Sequence, residues 1–480
     1  RLEPGPQESP RARVTGDMLA ALRSPVLAIA LLMCAFAAAP AHAQGPIGGI
    51  ASPNLEHVSL IPLDDGRANG AKLLGKYLYV TTGKSLIILD VTEPLSPTRV
   101  GKLDFELLDL GYPVTGYQED VDTNGKVLIR SEGGAMTNVD VSDPTNPQVL
   151  GTVEGADDHT MSCVLDCTWV YGSGGAIVDN RDPVNPKRVE QNWDDNLSVS
   201  SSHDVTEVSP GIVLTATEPM FLLDVRSNPT APKVLAEIPA QGFAHGTLWP
   251  QNGQDPYALV GGEALGPTPA CQDSPDSTFQ VWDTRGWQKS KTFKLVDEYR
   301  LRAGDEGATA GVWCTHWADF HPSFGTGGLV SVAWYEQGTR LLQIARDGKI
   351  NQVGYFLPHG GSIWDQRWIT DRVLYTFDHL RGIDILQYTG EIPEPMKVSQ
   401  PQQPPQQGGG AQQPQPGAGA SQQPAAKKPS FASLVTLPKA KGCFSAKKLA
   451  VKVRKSSDPV TALKLVAGRS IKRVSGAALK

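Results

Sequence analysis

Four of the nine histidines in this 480-residue chain fall at matching points of a recurring pattern. His159, His203, His245 and His316 each open a short run, and the register is plain in His203-Asp204-Val205, His245-Gly246-Thr247 and His316-Trp317-Ala318. Asn69, Glu119 and Trp364 hold the corresponding place in the other copies. A second series occupies the turn after the next apolar stretch: Glu132, Glu218, Glu263, Glu336 and His379, with Gly83 and Ser173 in the two remaining copies. Neutral imidazole and carboxylate together make a pocket for one divalent transition metal. They also make a general acid/base pair, since His titrates near neutrality and a nearby carboxylate tunes it. His159, His203, His245 and His316 are therefore the candidate metal ligands. Glu119, Glu132, Glu218, Glu263, Glu336 and His379 are the candidate ligand-binding groups around them. A purely structural reading competes: such residues can bond the backbone of a neighbouring unit, and a pair like His203-Asp204 can staple two units together.

The elements that must position these residues are legible. YLYVTTGKSLIILDVTEPLSP from Tyr77, VLIRSEGGAMTNVDVSDPTNP from Val127 and VLTATEPMFLLDVRSNPTAP from Val213 are the clearest of seven copies. Each is an apolar strand, a turn, a second apolar strand ending in Asp, and a Pro-bracketed turn. Asp90, Asp140, Asp179 and Asp224 at those strand ends are expected to bond local backbone N–H groups. Repeats of roughly 40 residues built from short strands predict a closed radial array. The expected fold is all-β, a seven-bladed β-propeller over residues 44–394. The seventh copy lacks the strand that follows the Pro turn elsewhere, and Glu56 to Pro62 precedes the first copy. That N-terminal strand is expected to cover the open edge of the last blade. The first strand of each blade then lines a channel, and the two series of polar residues meet at one mouth.

The recurring Asp-Val-x-x-Pro-x-x-Pro resembles the LVIVD-repeat family of secreted bacterial propellers, over roughly Glu56 to Tyr388. The arrangement of histidines resembles that of the selenium-binding protein/methanethiol oxidase propellers. The second resemblance implies a metal in the channel and an oxidase-type reaction.

Met18, Arg23, an apolar run from Val26 to Ala39 and Ala41-His42-Ala43 predict an export signal, so residues 1–43 are expected to be removed. No other stretch is apolar and long enough to span a membrane. Cys163 and Cys167 flank a short turn and suit a local disulfide, and Cys271 can reach Cys314; Cys443 has no evident partner. Residues 395–429 are rich in Pro, Gln and Gly and predict a disordered tether. Residues 430–480 hold short alternating strands, read as an incomplete Ig-like β domain, with fourteen Lys and Arg from Lys427 onward against Asp458 alone. The net charge is −6, so the body is acidic, which argues against nucleic acid as its ligand. No nucleophile elbow, zincin helix, phosphate loop or dinucleotide fingerprint occurs. The sequence thus predicts a secreted or cell-surface binding or scaffolding module, its partner a surface protein or wall polymer. The alternative is a metal-dependent, oxidase-like enzyme.

Overall fold

The computed structural model describes residues 48–393 except 64–66, 109, 111–118, 120, 157, 241, 264–276 and 310–313, together with four short strands beyond residue 434. Seven antiparallel sheets follow one another along the chain. Their first strands are Gly70–Leu74, Asp122–Thr123, Met161–Val164, Ser201–Ser209, Ala244–Leu248, Ala318–Phe320 and Ile363–Trp368, opening blades one to seven. In most blades the next two strands read as largely apolar runs, such as Tyr77–Thr81 with Ser85–Asp90, because both faces are covered.

The core lies between the blades. Seven apolar clusters fill the seven seams in turn. Leu259 and Val281 of blade five meet Val330 and Trp334 of blade six. Leu78 and Val80 of blade one meet Tyr375 and Phe377 of blade seven. The N-terminal segment crosses the seam between blades six and seven. Gly49–Ala51 pairs with Ile350–Pro358 as a fifth strand of blade six, and Leu55–Pro62 pairs with Gly382–Tyr388 in blade seven.

Polar side chains on the first strands tie the seams. Asp122 accepts from the Cys163 backbone N–H at 3.0 Å, Asp319 from Trp368 at 2.8 Å and Asp365 from Ala71 at 2.9 Å. The outer Asp residues act locally: Asp90 accepts from the Thr92 N–H and Asp224 from the Arg226 N–H.

Cys163 and Cys167 form a disulfide, and Cys314 is disulfide-bonded as well. Cys271 lies outside the described residues, as do Cys443, the export signal and the Pro/Gln-rich tether. Beyond residue 400 a separate unit contains Val435–Thr436 paired with Lys452–Val453 and a hairpin of Ala462–Ala467 with Ser470–Ser475. No helix among the described residues is long and apolar enough to cross a membrane.

Candidate metal centre

His203 and His245 lie on the first strands of blades four and five, and His316 two residues before that of blade six. Radial repetition therefore brings them together although each is about 40 to 70 residues from the next. The His203 and His245 rings stack at 3.7 Å, and His245 and His316 lie 4.2 Å apart. His159, from blade three, meets His203 edge-on at 4.8 Å. Gly246 makes room beneath them, since a Cβ there would meet the Trp317 ring at 2.9 Å. That ring packs against His245 at 4.9 Å.

The four imidazoles share one carboxylate. Glu119 stands just before the first strand of blade two. Its Oε2 lies 3.2 Å from His316 Nε2, 3.5 Å from His245 Nε2 and 3.7 Å from His203 Nε2; its Oε1 lies 3.3 Å from His159 Nε2. Donors at 2.0–2.2 Å from a tetrahedral ion stand about 3.4 Å apart, so this spacing suits one ion. Glu263 adds a second carboxylate, with Oε2 3.7 Å from His245 Nε2. Two donor triads result, Glu119–His203–His245 and His245–Glu263–His316.

Backbone contacts set the protonation of the rings. His203 Nδ1 lies 3.0 Å from the His245 carbonyl oxygen, and His316 Nδ1 2.5 Å from that of Trp364. A carbonyl only accepts, so Nδ1 carries the proton and a neutral ring presents a bare lone pair at Nε2. These bonds staple neighbouring blades. They also give the outer-sphere support that ligating imidazoles need. Stapling through Nδ1 thus leaves Nε2 of the same ring able to ligate an ion.

Without a cation, the cluster balances its charge with a proton. Burial would lower His316, but the Glu119 charge outweighs it and raises the ring to about 9. Burial would raise Glu119, yet the His316 charge and the surrounding imidazoles hold it well below the carboxylate range. Burial and the neighbouring His245 keep His203 well below its ordinary value. Burial and His316 lower His245. The result is one buried ion pair flanked by two neutral imidazoles. Among the described residues, the Nε2 atoms of His245 and His316 and Oε2 of Glu119 have no hydrogen-bond partner beyond the ion-pair contacts inside the cluster, and His245 Nδ1 has none. Buried polar atoms left in this state are costly and call for a missing partner.

The remaining predicted residues go elsewhere. Glu132 is buried and ion-paired with Arg130, which lies two residues earlier on the same face of its strand. Glu218 is exposed and takes the Ser200 hydroxyl at 3.3 Å. Glu336 is half-buried in the turn after Tyr335. His379 stacks face to face on Trp364 at 3.7 Å, with Nδ1 3.1 Å from Asn69 Oδ1; burial and then Arg67 lower it to about 4. Instead of facing a circle of carboxylates, the imidazoles surround one. Tyr335, which the repeat pattern does not single out, hydrogen-bonds Glu263. Trp334 and Trp368 pack into seams, Trp317 and Trp364 pack against histidines, and Trp313 lies outside the described residues.

Fold and site together define a seven-bladed β-propeller with a histidine/glutamate cluster at the start of its channel strands. The LVIVD repeat matches residues 65–104 and 131–154, in blades one and two, so these two blades are similar to LVIVD repeats. The crystal structure of the WD40 β-propeller domain of Doa1 aligns with a TM-score of 0.44 at 11% identity, covering 69% of this chain and 96% of that one. No curated protein matches by sequence.

Proposed function

We propose that this chain is an exported binding module whose propeller holds one divalent transition-metal ion. Glu119, His203, His245 and His316 are its ligands, with Glu263 beside them and His159, 43% exposed, at the open edge. The carrying observation is the convergence of buried nitrogens and a carboxylate oxygen that, among the described residues, have no hydrogen-bond partner outside the cluster. The neutral imidazoles suit Zn, Cu, Ni or Fe better than Mg or Ca. Loops displayed on a rigid ring suit a surface protein or wall polymer as partner. Residues 55–62 are the latch of the ring in this reading, and 430–480 the start of an Ig-like β domain.

A second reading, a metal-dependent enzyme of oxidase type, draws support from the Tyr335 hydroxyl on Glu263, a proton-carrying pair next to the cluster. Elemental analysis of the full chain, purified without added metal or chelating resin, tests the shared part. About one Zn, Cu, Ni or Fe per chain is expected. A metal-free, folded protein removes the metal and leaves the histidines as staples. Oxygen consumption by the loaded protein in a substrate screen then separates enzyme from binding module.

A further inference from the structure

We infer that Tyr335 is a positioning residue of this metal centre, locking Glu263 so that a single carboxylate oxygen, Oε2, faces the ion. The inference rests on the metal reading above.

Tyr335 has a φ of +46°, which a bulky L residue rarely adopts. The surroundings fix it there. Its N–H donates to the Ile363 carbonyl at 3.1 Å, and its carbonyl accepts from Ile363 at 2.9 Å and Gly338 at 3.0 Å. A backbone conformation held against its preference by several bonds is a mark of functional positions. The strained turn presents the phenol ring to His316, 4.8 Å away, and sends the hydroxyl across to blade five. There it donates to Glu263 Oε1.

An ionised carboxylate only accepts, so Oε1 is occupied by the phenol. Oε2, 3.7 Å from His245 Nε2, is the oxygen left for the ion. Chelation through both oxygens is thereby disfavoured. A one-oxygen carboxylate keeps the coordination number low, which favours a small tetrahedral ion over Ca, whose larger shell accepts two-oxygen carboxylates.

The test titrates Co(II) into the chelator-stripped full chain and into Tyr335→Phe, Glu263→Gln and the double variant. Tyr335→Phe keeps the ring and the turn, so the metal-free protein should stay folded, melting lower only by the loss of the one hydrogen bond to Glu263. Its Co(II) affinity should fall about 10–100-fold, with the visible absorption bands displaced. The double variant should bind no more weakly than Glu263→Gln alone, because the phenol acts only through the carboxylate. Unchanged affinity and spectrum in Tyr335→Phe overturn the positioning role while leaving the metal site standing. So do losses that multiply in the double variant. A parent chain that takes up no Co(II) overturns the metal reading and this inference together.

Discussion

One to three residues beyond His203, His316 and Trp364, the channel strands carry Asp204, Asp319 and Asp365, and the two levels behave in opposite ways. At the aspartate level the carboxylates end on protein partners: Asp319 and Asp365 on backbone N–H groups of the next blade, Asp204 on the Thr206 hydroxyl at 2.8 Å. At the histidine level the outward nitrogen also meets the next blade, in His203 and His316, but among the described residues the inward nitrogen faces Glu119, Glu263 and other imidazoles. A group satisfied by its neighbours holds the ring together and has nothing left to offer a ligand. The levels therefore separate architecture from chemistry within one set of strands.

If this division is right, the largest stability loss should come from the aspartate level. Asp365→Ala removes the acceptor of the Ala71 N–H and the carboxylate whose Oδ1 lies 2.5 Å from Arg367 Nη1. Breaking such a buried pair should cost about 3–5 kcal/mol in denaturant unfolding. Metal content per folded chain should not change; a loss of metal without a loss of stability would merge the two levels.

A smaller effect follows from Asp319, whose carboxyl burial raises to about 6, with Arg367 opposing. A folded-state value above the unfolded one means that its contribution is fully present below about pH 4 and is lost as pH rises through 6. Relative to Asp319→Asn, the parent should lose roughly 2 kcal/mol between pH 4 and 7. Parallel unfolding midpoints of the two proteins over that range would place Asp319 outside the seam network.

The smallest difference lies within the histidine level itself. His203→Ala removes a staple bond as well as a proposed ligand, whereas neither nitrogen of His245 makes a hydrogen bond among the described residues. In metal-free protein the first change should cost about 1 kcal/mol more than the second, measured by chemical unfolding. Both should weaken metal binding. Equal stabilities would mean that the His203 contact to the His245 carbonyl contributes nothing.

The seven-bladed ring and the mouth positions were legible because a closed repeat converts sequence spacing into angular position. One residue per copy at a fixed offset is one residue per blade at a fixed height. Which of those residues meet was less legible. The fate of Glu132 turns on Arg130 two positions earlier, a same-face pair that strand periodicity implies. Tyr335 reaches Glu263 only through a positive φ, and no residue type in Trp334-Tyr335-Glu336 announces that conformation. Glu119 looked like one rim group among seven, whereas its two oxygens address imidazoles from four blades.

The pairing of residues 55–62 with 382–388 also sets an order of events. His57 contacts Asp384, 327 positions away, and its ring lies against Phe356 of blade six. Bringing such distant segments together is slow, because chain entropy is lost before the contact forms. In blades one to six, four strands come from one contiguous stretch and can assemble in sequence. Blade seven must wait for residues 55–62 to meet residues 382–388. Until it does, Gly382–Tyr388 keeps an uncovered strand edge, and the lifetime of that edge governs how much of the protein reaches the ring before it associates with another copy.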